Sequence, residues 1–543
     1  MRHGGQILVD QLRLLGVRRV FSVPGESFLA ALDGLYQSGI QNVVCRHEGG
    51  AAMMAEAMGK LTGSPGVAFV TRGPGATNAS AGIHVARQDS TPMVLFVGQV
   101  SSGDKDREAF QEVDYRAFFA PLAKWVAEVD RPERLPEYVG RAFSVATAGR
   151  PGPVVLALPE DVLSGEADVP DIAPPLIELA PTLSGVAEDA VEWLSQAERP
   201  LVLVGGPHWS AEAAGDLGAF AQAQGVPVCC GFRRQDYMDN RHPNYAGDLT
   251  VGMNPALADR VRQVDRLMVV GSRLGDLETL SYTLIDPADP HCRLLHVHPD
   301  PEEPGRVYRP ELAVTSDAVS FVRALAQVPP SGRTWRDWTT SAHADHVAWV
   351  VPPADESETG LGQVISWLSD NLPEDAIITN GAGNYAAWLH RFFVYKRHGT
   401  QVAPTSGSMG YGFPAAISAA LEYPRRRVVC LAGDGCFQMT LNEMSTAIQH
   451  GAAPIVVVAN NGRYGTIRMH QERSYPGRVS GTDLANPDFA ALARAYGGHG
   501  EEVEKATDFP AAFARAVESG LPSVVNVMVD REALSPTVRL GDG

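Results

Sequence analysis

The sequence predicts an α/β protein made of three doubly wound parallel-sheet domains. Short apolar runs recur from one end of the chain to the other, and each is followed by a turn of small residues and a helical pattern. Strands that are apolar throughout are buried on both faces, as in a parallel sheet covered by helices. The length of 543 residues, at about 150 residues per domain, allows three or four domains.

Twelve apolar runs carry the prediction of strands. In chain order they are residues 17–23, 41–45, 66–71, 93–98, 153–158, 201–205, 267–271, 294–298, 376–379, 427–432, 455–459 and 523–529. Two proline-rich, charge-poor stretches, residues 169–183 and 328–358, interrupt this rhythm and indicate linkers. They divide the chain into an N-terminal domain 1–170, a central domain 183–330 and a C-terminal domain 358–535.

The amino-acid composition disfavours some classes of binding partner. Lys and Arg number 45 against 63 Asp and Glu, a formal net charge of −18, and 45% of the residues are hydrophobic. A surface this acidic disfavours nucleic acid and anionic membranes as partners. No run of about 18 apolar residues indicates a membrane span. The six cysteines form no CxxC pair, which predicts reduced thiols in a cytoplasmic protein.

The most informative segment is a predicted strand-helix-strand unit. The first strand ends in Gly433-Asp434-Gly435, and the next ends in Asn460-Asn461, 27 residues after Asp434. Neighbouring parallel strands end at the same sheet edge, where α/β proteins bind ligands. An isolated GDG is usually an ordinary corner with Asp capping a helix, but the paired asparagines favour a site.

The residue types in this unit suit a hard metal ion. Asp434 offers a carboxylate, Asn461 offers an amide oxygen, and the irregular backbone beyond it offers a carbonyl. Mg²⁺ takes six oxygen ligands and commonly draws some of them from phosphates and water. A metal-bridged diphosphate is therefore compatible with an acidic protein.

The segment GDGCFQMTLNEMSTAIQHGAAPIVVVANNGRYG resembles the thiamine-diphosphate signature, specifically that of the acetolactate synthase branch. The resemblance implies that Mg²⁺ is bound by Asp434, the Asn461 side chain and the Arg463 carbonyl. It implies a cofactor contact for Gly433, Gly435 and Gly465.

Two further segments are similar to cofactor contacts of that branch. TNGAGNYAAW, residues 379–388, sits where the family has a second diphosphate loop, with Gly383 and Asn384 in place of its usual Gln-His. Met409 lies 25 residues before Asp434. It would be ordinary core packing on composition alone, and the resemblance implies an apolar wedge under the cofactor.

Glu48 follows the predicted strand 41–45 at the start of a helix. A carboxylate there is usually only a favourable interaction with the helix dipole. However, CRHEGGAAMMAEAMGKLTG and the sequence beyond it are similar to the cofactor-activating segment of acetolactate synthases. The resemblance implies that Glu48 shares a proton with the aminopyrimidine ring of thiamine diphosphate. Phe110, Gln111 and Lys124 match the active-site loop of the same enzymes.

The substrate-selecting positions depart from the biosynthetic synthases. Leu277 stands where those enzymes carry an Arg that binds a substrate carboxylate, and His470 stands in place of their Trp. Glu26 stands where synthases usually have glycine. We expect Glu26 and His470 to be polar groups near the thiazolium that suit proton transfer. FAD is left open, because the central domain has parallel strands but only Gly205-Gly206-Pro207 in place of a GxGxxG motif.

Together these features predict Mg²⁺- and thiamine-diphosphate-dependent cleavage or formation of a C–C bond next to a carbonyl. The leading hypothesis is decarboxylation of a 2-keto acid such as pyruvate with carboligation. The alternatives are a non-ligating decarboxylase, a lyase, a C–C hydrolase, or a catalytically silent cofactor-binding paralogue. Because Glu48 and the metal site lie in different domains, the resemblance implies a homodimer or homotetramer with active sites between subunits.

Overall fold

A computed structural model describes residues 1–173, 183–353 and 360–540. Three six-stranded parallel sheets follow one another along the chain, with helices on both faces of each. All twelve predicted strands are present, so the predicted α/β class with three parallel sheets is confirmed.

The first sheet has the spatial strand order β2-β1-β3-β4-β6-β5. Its strands are β1 Arg19–Ser22, β2 Gln41–Val44, β3 Gly66–Val70, β4 Met93–Gln99, β5 Trp125–Glu128 and β6 Pro153–Pro159. Its helices are Gly4–Leu14, Leu29–Leu35, Glu48–Thr62, Pro74–Asp89, Tyr115–Phe119, Leu135–Thr147 and Glu160–Ser164. A short antiparallel pair, Arg2–His3 with Glu166–Ala167, joins the two ends of this unit.

The central sheet has the order β9-β8-β7-β10-β11-β12. Strands β7 to β9 follow one another toward one edge of the sheet, and β10 to β12 follow one another toward the opposite edge, so the order reverses between β7 and β10. Its strands are β7 Pro200–Val204, β8 Val228–Cys230, β9 Tyr245–Asp248, β10 Arg266–Val270, β11 Arg293–His298 and β12 Leu312–Thr315. Its helices are Ser184–Ser195, Ala211–Gln224, Pro255–Val261, Ala318–Leu325 and Arg336–Trp349. This is the strand order of doubly wound dinucleotide-binding sheets.

The third sheet has the order β14-β13-β15-β16-β18-β17, which repeats the order of the first. Its strands are β13 Ile377–Asn380, β14 Gln401–Val402, β15 Val428–Gly433, β16 Ile455–Asn460, β17 His499–Val503 and β18 Ser523–Met528. Its helices are Leu361–Asn371, Tyr385–Phe392, Gly412–Glu422, Asp434–Gln438, Met444–His450, Gly465–Ser474, Phe489–Ala495 and Phe509–Ser519. Ala533–Ser535 and Val538–Arg539 form a short antiparallel pair.

The sequence predicted that the whole second proline-rich stretch is a linker, and this prediction is wrong for part of it. The helix Arg336–Trp349 lies within it and packs on the central unit. The indole N–H groups of Trp335 and Trp338 donate to the carbonyls of Ala197 and Pro200, at 3.0 and 2.9 Å. The prolines that suggested extended chain flank this helix and do not interrupt it. Parts of both predicted linkers, 174–182 and 354–359, lie outside the described residues.

The first and third units share one continuous core. The helix Glu48–Thr62 packs against the helix Gly412–Glu422. Glu56 is fully buried at this contact and accepts hydrogen bonds from the hydroxyls of Tyr411 and Thr91. Burial of Glu56 raises its pKa. The six cysteines are buried free thiols. None of the helices in the described ranges has both the length and the apolarity needed to cross a bilayer.

Candidate active site

A cavity of about 430 Å³ opens at the carboxyl edge of the third sheet. β15 and β16 are parallel neighbours, so the residues that follow them meet at this edge. The cavity is lined by the following residues that the sequence analysis singled out: Gly383, Asn384, Met409, Gly433, Asp434, Gly435, Asn461, Arg463 and Gly465. We call this space the edge cavity.

Asp434 is held in place by three N–H donors. Its Oδ1 accepts from the backbone of Gly435 at 2.8 Å. Its Oδ2 accepts from the backbone of Gly462 at 2.8 Å and from the side chain of Asn486 at 2.7 Å. Burial raises the pKa of the Asp434 carboxyl, while these hydrogen bonds oppose the shift. The carboxylate is therefore oriented before any ligand arrives.

The two asparagines at the end of β16 have different surroundings. Asn460 is buried and exchanges hydrogen bonds with Asn486 and Asn526, at 2.9 and 3.2 Å. Asn461 lines the edge cavity, and its Oδ1 accepts from the backbone N–H of Arg463 at 3.1 Å. Asn460 therefore stabilises the edge from inside, while the Asn461 amide is presented to the cavity.

The glycines around Asp434 allow close packing of aromatic rings. A Cβ on Gly433 would come within 2.8 Å of the Tyr385 ring, and a Cβ on Gly435 within 2.5 Å of the Tyr464 ring. The Tyr385 hydroxyl lies 3.2 Å from the Cys436 sulfur. Side chains at these two positions would displace the cavity wall.

The loop that begins at Gly381 forms another wall. Gly383 adopts φ +142°, and the backbone N–H of Asn384 donates to the Thr466 hydroxyl at 2.9 Å. The Asn384 amide also donates to the carbonyl of Leu534 at 2.6 Å. Asn384 thus ties this loop to the helix Gly465–Ser474 and to the C-terminal segment. Met409 lines the same cavity and packs on the apolar cluster of the third unit.

Glu48 lies in the first unit, at the first turn of the helix Glu48–Thr62. Its Oε2 accepts from the Asn78 amide at 3.0 Å, and its Oε1 would lie 3.3 Å from a Cβ on Gly75. Glu48 is half-buried and does not line the edge cavity of its own chain.

The turn at residues 71–75 follows β3 and includes the first two residues of the helix Pro74–Asp89. It brings the other predicted residues of the first unit together. The buried Arg72 guanidinium pairs with Glu26 at 3.3 Å and donates to the carbonyl of Phe110 at 3.2 Å. A Cβ on Gly73 would lie 2.8 Å from that of Gln111, which adopts φ +65°. Phe110 is 72% exposed. Glu26, Phe110 and Gln111 therefore surround the same turn that Glu48 faces.

Two predicted residues lie elsewhere. His470 is exposed on the helix Gly465–Ser474, accepts a hydrogen bond from Arg473 at 2.8 Å, and does not line the edge cavity. Lys124 donates to the carbonyl of Ala148 and packs beside Gly152, and burial lowers its pKa. A role of either residue at the site stays a prediction.

Sequence reasoning missed Arg72, Tyr385 and Asn486. Tyr385 lies within TNGAGNYAAW, and Arg72 lies beyond CRHEGGAAMMAEAMGKLTG in the same part of the chain, but nothing in their spacing marks them. Asn486 is 52 residues beyond Asp434, in a loop with no motif. These side chains position other groups, and only the folded chain brings them to their partners.

The edge cavity fits a metal-bound diphosphate. Within the described ranges, no three His, Cys, Asp or Glu side chains cluster as a metal site. A site with one carboxylate, one amide oxygen and a backbone carbonyl would leave positions for phosphate oxygens and water, as Mg²⁺ prefers. Asp434, Asn461 and Arg463 line the cavity and would supply that donor set.

Comparison with known proteins agrees with this fold. Family models for thiamine pyrophosphate enzymes match in chain order: the N-terminal TPP-binding domain at residues 2–118, the central domain at 187–325 and the C-terminal TPP-binding domain at 381–527. The acetolactate synthase isozyme 2 large subunit of Escherichia coli is 32% identical over 97% of this chain and 96% of its own length. The acetolactate synthase large subunit of Corynebacterium glutamicum is 32% identical over 98% of this chain and 87% of its own.

The protein is thus a thiamine-diphosphate-dependent enzyme. Within that class, the chain belongs to the family that contains the acetolactate synthase large subunits, which it matches over nearly its whole length.

Proposed function

We propose that the protein decarboxylates a 2-keto acid such as pyruvate and joins the remaining fragment to a second carbonyl compound, in a Mg²⁺-dependent reaction. The observation that carries the proposal is the edge cavity, where Asp434 and Asn461 meet between two parallel strand ends. The similarity to acetolactate synthases over 97% of the chain supports the same chemistry.

Residues of the third unit would hold the cofactor. Asp434, the Asn461 amide and the Arg463 carbonyl would bind Mg²⁺, and Gly433 and Gly435 would let the diphosphate approach the backbone closely. Bound thiamine diphosphate supplies the nucleophilic carbon and the electron sink for the reaction. Met409 would help to orient the cofactor by apolar contact.

Residues of the first unit would control protons. The Glu48 carboxyl would hold a proton at the pyrimidine ring nitrogen, and the Asn78 amide would fix the orientation of that carboxyl. Glu26 and Gln111, beside the same turn, would face the substrate and exclude water. Arg72 would act as a positioning residue, because it ties Glu26 to the loop that carries Phe110.

We propose that the active site forms between two chains. Glu48 does not line the edge cavity of its own chain, so a single chain presents two half-sites. Phe110 and Met439 are 72% and 52% exposed, which suits burial against a second copy. A two-fold symmetric dimer would pair each Glu48 with the partner's edge cavity, and a tetramer would contain two such dimers.

FAD has no part in the proposed reaction. Dinucleotides bind at the crevice where the strand order reverses, here between β7 and β10. In this protein the two loops at that crevice pack backbone against backbone, so that a Cβ on Gly206 would lie 1.8 Å from the carbonyl oxygen of Gly271. The residues present at this point do not fit a dinucleotide, and we derive no step through one.

Incubation with pyruvate, thiamine diphosphate and Mg²⁺ tests the proposed function. We expect CO2 release and acetolactate, both dependent on Mg²⁺. A screen of other 2-keto acids with product identification covers other donors. Turnover of a 2-keto acid to a free aldehyde, with no ligated product from any acceptor, would favour the non-ligating decarboxylase. A protein that binds the cofactor but turns over no substrate would be the silent paralogue.

A further inference from the structure

The turn between β2 and the helix Glu48–Thr62 contacts the third unit of the same chain. It comprises residues 45–47, and we call it the entry turn. The backbone N–H of Val44, just before it, donates to His450 Nε2 at 2.9 Å. Burial lowers the pKa of His450, which keeps the ring neutral and able to accept this hydrogen bond. The third unit therefore fixes the point where the entry turn begins.

Glu443 of the third unit binds the backbone of the entry turn. Its side chain is fully buried, and both carboxylate oxygens accept from the backbone N–H of Arg46 at 3.2 Å. The backbone N–H of His47 donates to the same carboxylate, and the Thr446 hydroxyl donates to it at 2.6 Å. Burial raises the pKa of Glu443, while these hydrogen bonds oppose the shift. The carboxylate is therefore held in one position, and the entry turn is fixed with it.

The first turn of the next helix leaves room for this carboxylate. A Cβ on Gly50 would lie 2.5 Å from Glu443 Oε1 and 3.1 Å from its Cγ. Any larger residue at position 50 would therefore displace Glu443. A negative charge at the beginning of a helix is also stabilised by the helix dipole. Glu443 thus packs on the same turn of helix that carries Glu48, the residue proposed to hold a proton.

We propose that Glu443 is a positioning residue for Glu48. By holding the entry turn, it sets where the Glu48 carboxyl meets the pyrimidine ring of the cofactor. The inference rests on the proposed function, in which that carboxyl holds a proton at the ring nitrogen. A proton-transfer group must lie within hydrogen-bond reach of its partner, and a displacement of about 1 Å can cost about 100-fold in rate. The Asn78 amide orients the carboxyl itself, whereas Glu443 fixes the backbone behind it.

The exchange rate of the C2 proton of bound thiamine diphosphate, measured with cofactor and Mg²⁺ at saturation, tests the inference without a substrate. For Glu443→Gln we expect a fall of about 10-fold to 100-fold, because the glutamine amide turns a donor toward the N–H groups of the entry turn. Glu443→Asp retains the charge and should fall less. Glu422→Gln is the matched control, since Glu422 also joins the third unit to the first, through Arg18 and Arg19, and should exchange at the wild-type rate.

A double-variant cycle separates positioning of Glu48 from a general structural effect. In a Glu48→Gln background, Glu443→Gln should lower the exchange rate no further, because the group that it positions is already lost. A wild-type rate in Glu443→Gln alone would overturn the inference. The same fall in both backgrounds would also overturn it, since Glu443 would then act independently of Glu48.

Amide hydrogen exchange in the cofactor-free protein gives a readout that involves no cofactor. Glu443→Gln should speed exchange in the peptide that contains the entry turn, followed by mass spectrometry, whereas Glu422→Gln should not. Unchanged protection would contradict the inference. If Glu443→Gln does not fold, the same measurements on Glu443→Asp decide the question. A wild type that exchanges the C2 proton but turns over no 2-keto acid would contradict the proposed function and leave this inference intact.

Discussion

Replacement of Glu48 by Gln is expected to leave cofactor binding unchanged and to reduce turnover by about 100-fold to 10,000-fold, the usual contribution of a positioned proton-transfer group. Glutamine has the same size and can still accept the hydrogen bond from Asn78, which is 3.0 Å long in the wild type. It cannot share a proton with the pyrimidine nitrogen. The cause of the loss is therefore chemical, with the local structure preserved.

The exchange rate of the C2 proton of bound thiamine diphosphate, followed by NMR in deuterated buffer, measures this step directly. Glu137→Gln is the matched control, because Glu137 is exposed on the helix Leu135–Thr147 and forms a surface ion pair with Arg134 there. An exchange rate in Glu48→Gln equal to that of the wild type would remove Glu48 from the mechanism.

Replacement of Asp434 by Asn is expected to weaken Mg²⁺ binding by more than about 100-fold. Loss of a residue that only supports a metal ligand costs about 10-fold to 100-fold in affinity, and Asp434 would be a ligand itself. The change also turns an amide N–H group toward the backbone donors of Gly435 and Gly462, which now bond to the two carboxylate oxygens. Binding of thiamine diphosphate should fall with that of the metal.

Calorimetric titration of Mg²⁺ in the presence of thiamine diphosphate measures the effect. Asp488→Asn makes the same chemical change at the cap of the helix Phe489–Ala495, away from the edge cavity, and should bind Mg²⁺ normally. Thermal unfolding of the metal-free proteins separates loss of binding from loss of fold. Wild-type Mg²⁺ affinity in a folded Asp434→Asn would place the metal elsewhere.

The sequence was sufficient to predict eleven of the twelve interior strands of the three parallel sheets, but only one of their six edge strands, Gln41–Val44. Most of the predicted strands are apolar runs, because helices cover them on both sides. Six strands of the three parallel sheets were missed, and five of them are edge strands: Trp125–Glu128, Tyr245–Asp248, Leu312–Thr315, Gln401–Val402 and His499–Val503. Trp125–Glu128, Leu312–Thr315 and His499–Val503 are partly solvated, whereas Tyr245–Asp248 and Gln401–Val402 are mostly buried. None of the five contains four successive apolar residues, so none has the apolar run on which the prediction depended. The sixth, Val228–Cys230, has only 3 residues.

Prediction of the site residues had a similar limit: residues that directly follow apolar strands could be predicted, and residues brought together by tertiary packing could not. Asp434 and Asn461 could be placed together from sequence, because each follows an apolar strand and the two strands are neighbours. Arg72 and Asn486 could not, because their partners are distant in sequence and are brought near by tertiary packing.

Mixing two inactive variants tests most directly whether Glu48 and Asp434 are halves of one site in different chains. Glu48→Gln and Asp434→Asn are each expected to be almost inactive. A mixed dimer would contain one site with both changes and one site with neither. Random exchange of subunits in a two-fold dimer should therefore restore about a quarter of the wild-type activity. If the mixture stays inactive although mass spectrometry shows mixed dimers, each site lies within one chain and the account is contradicted.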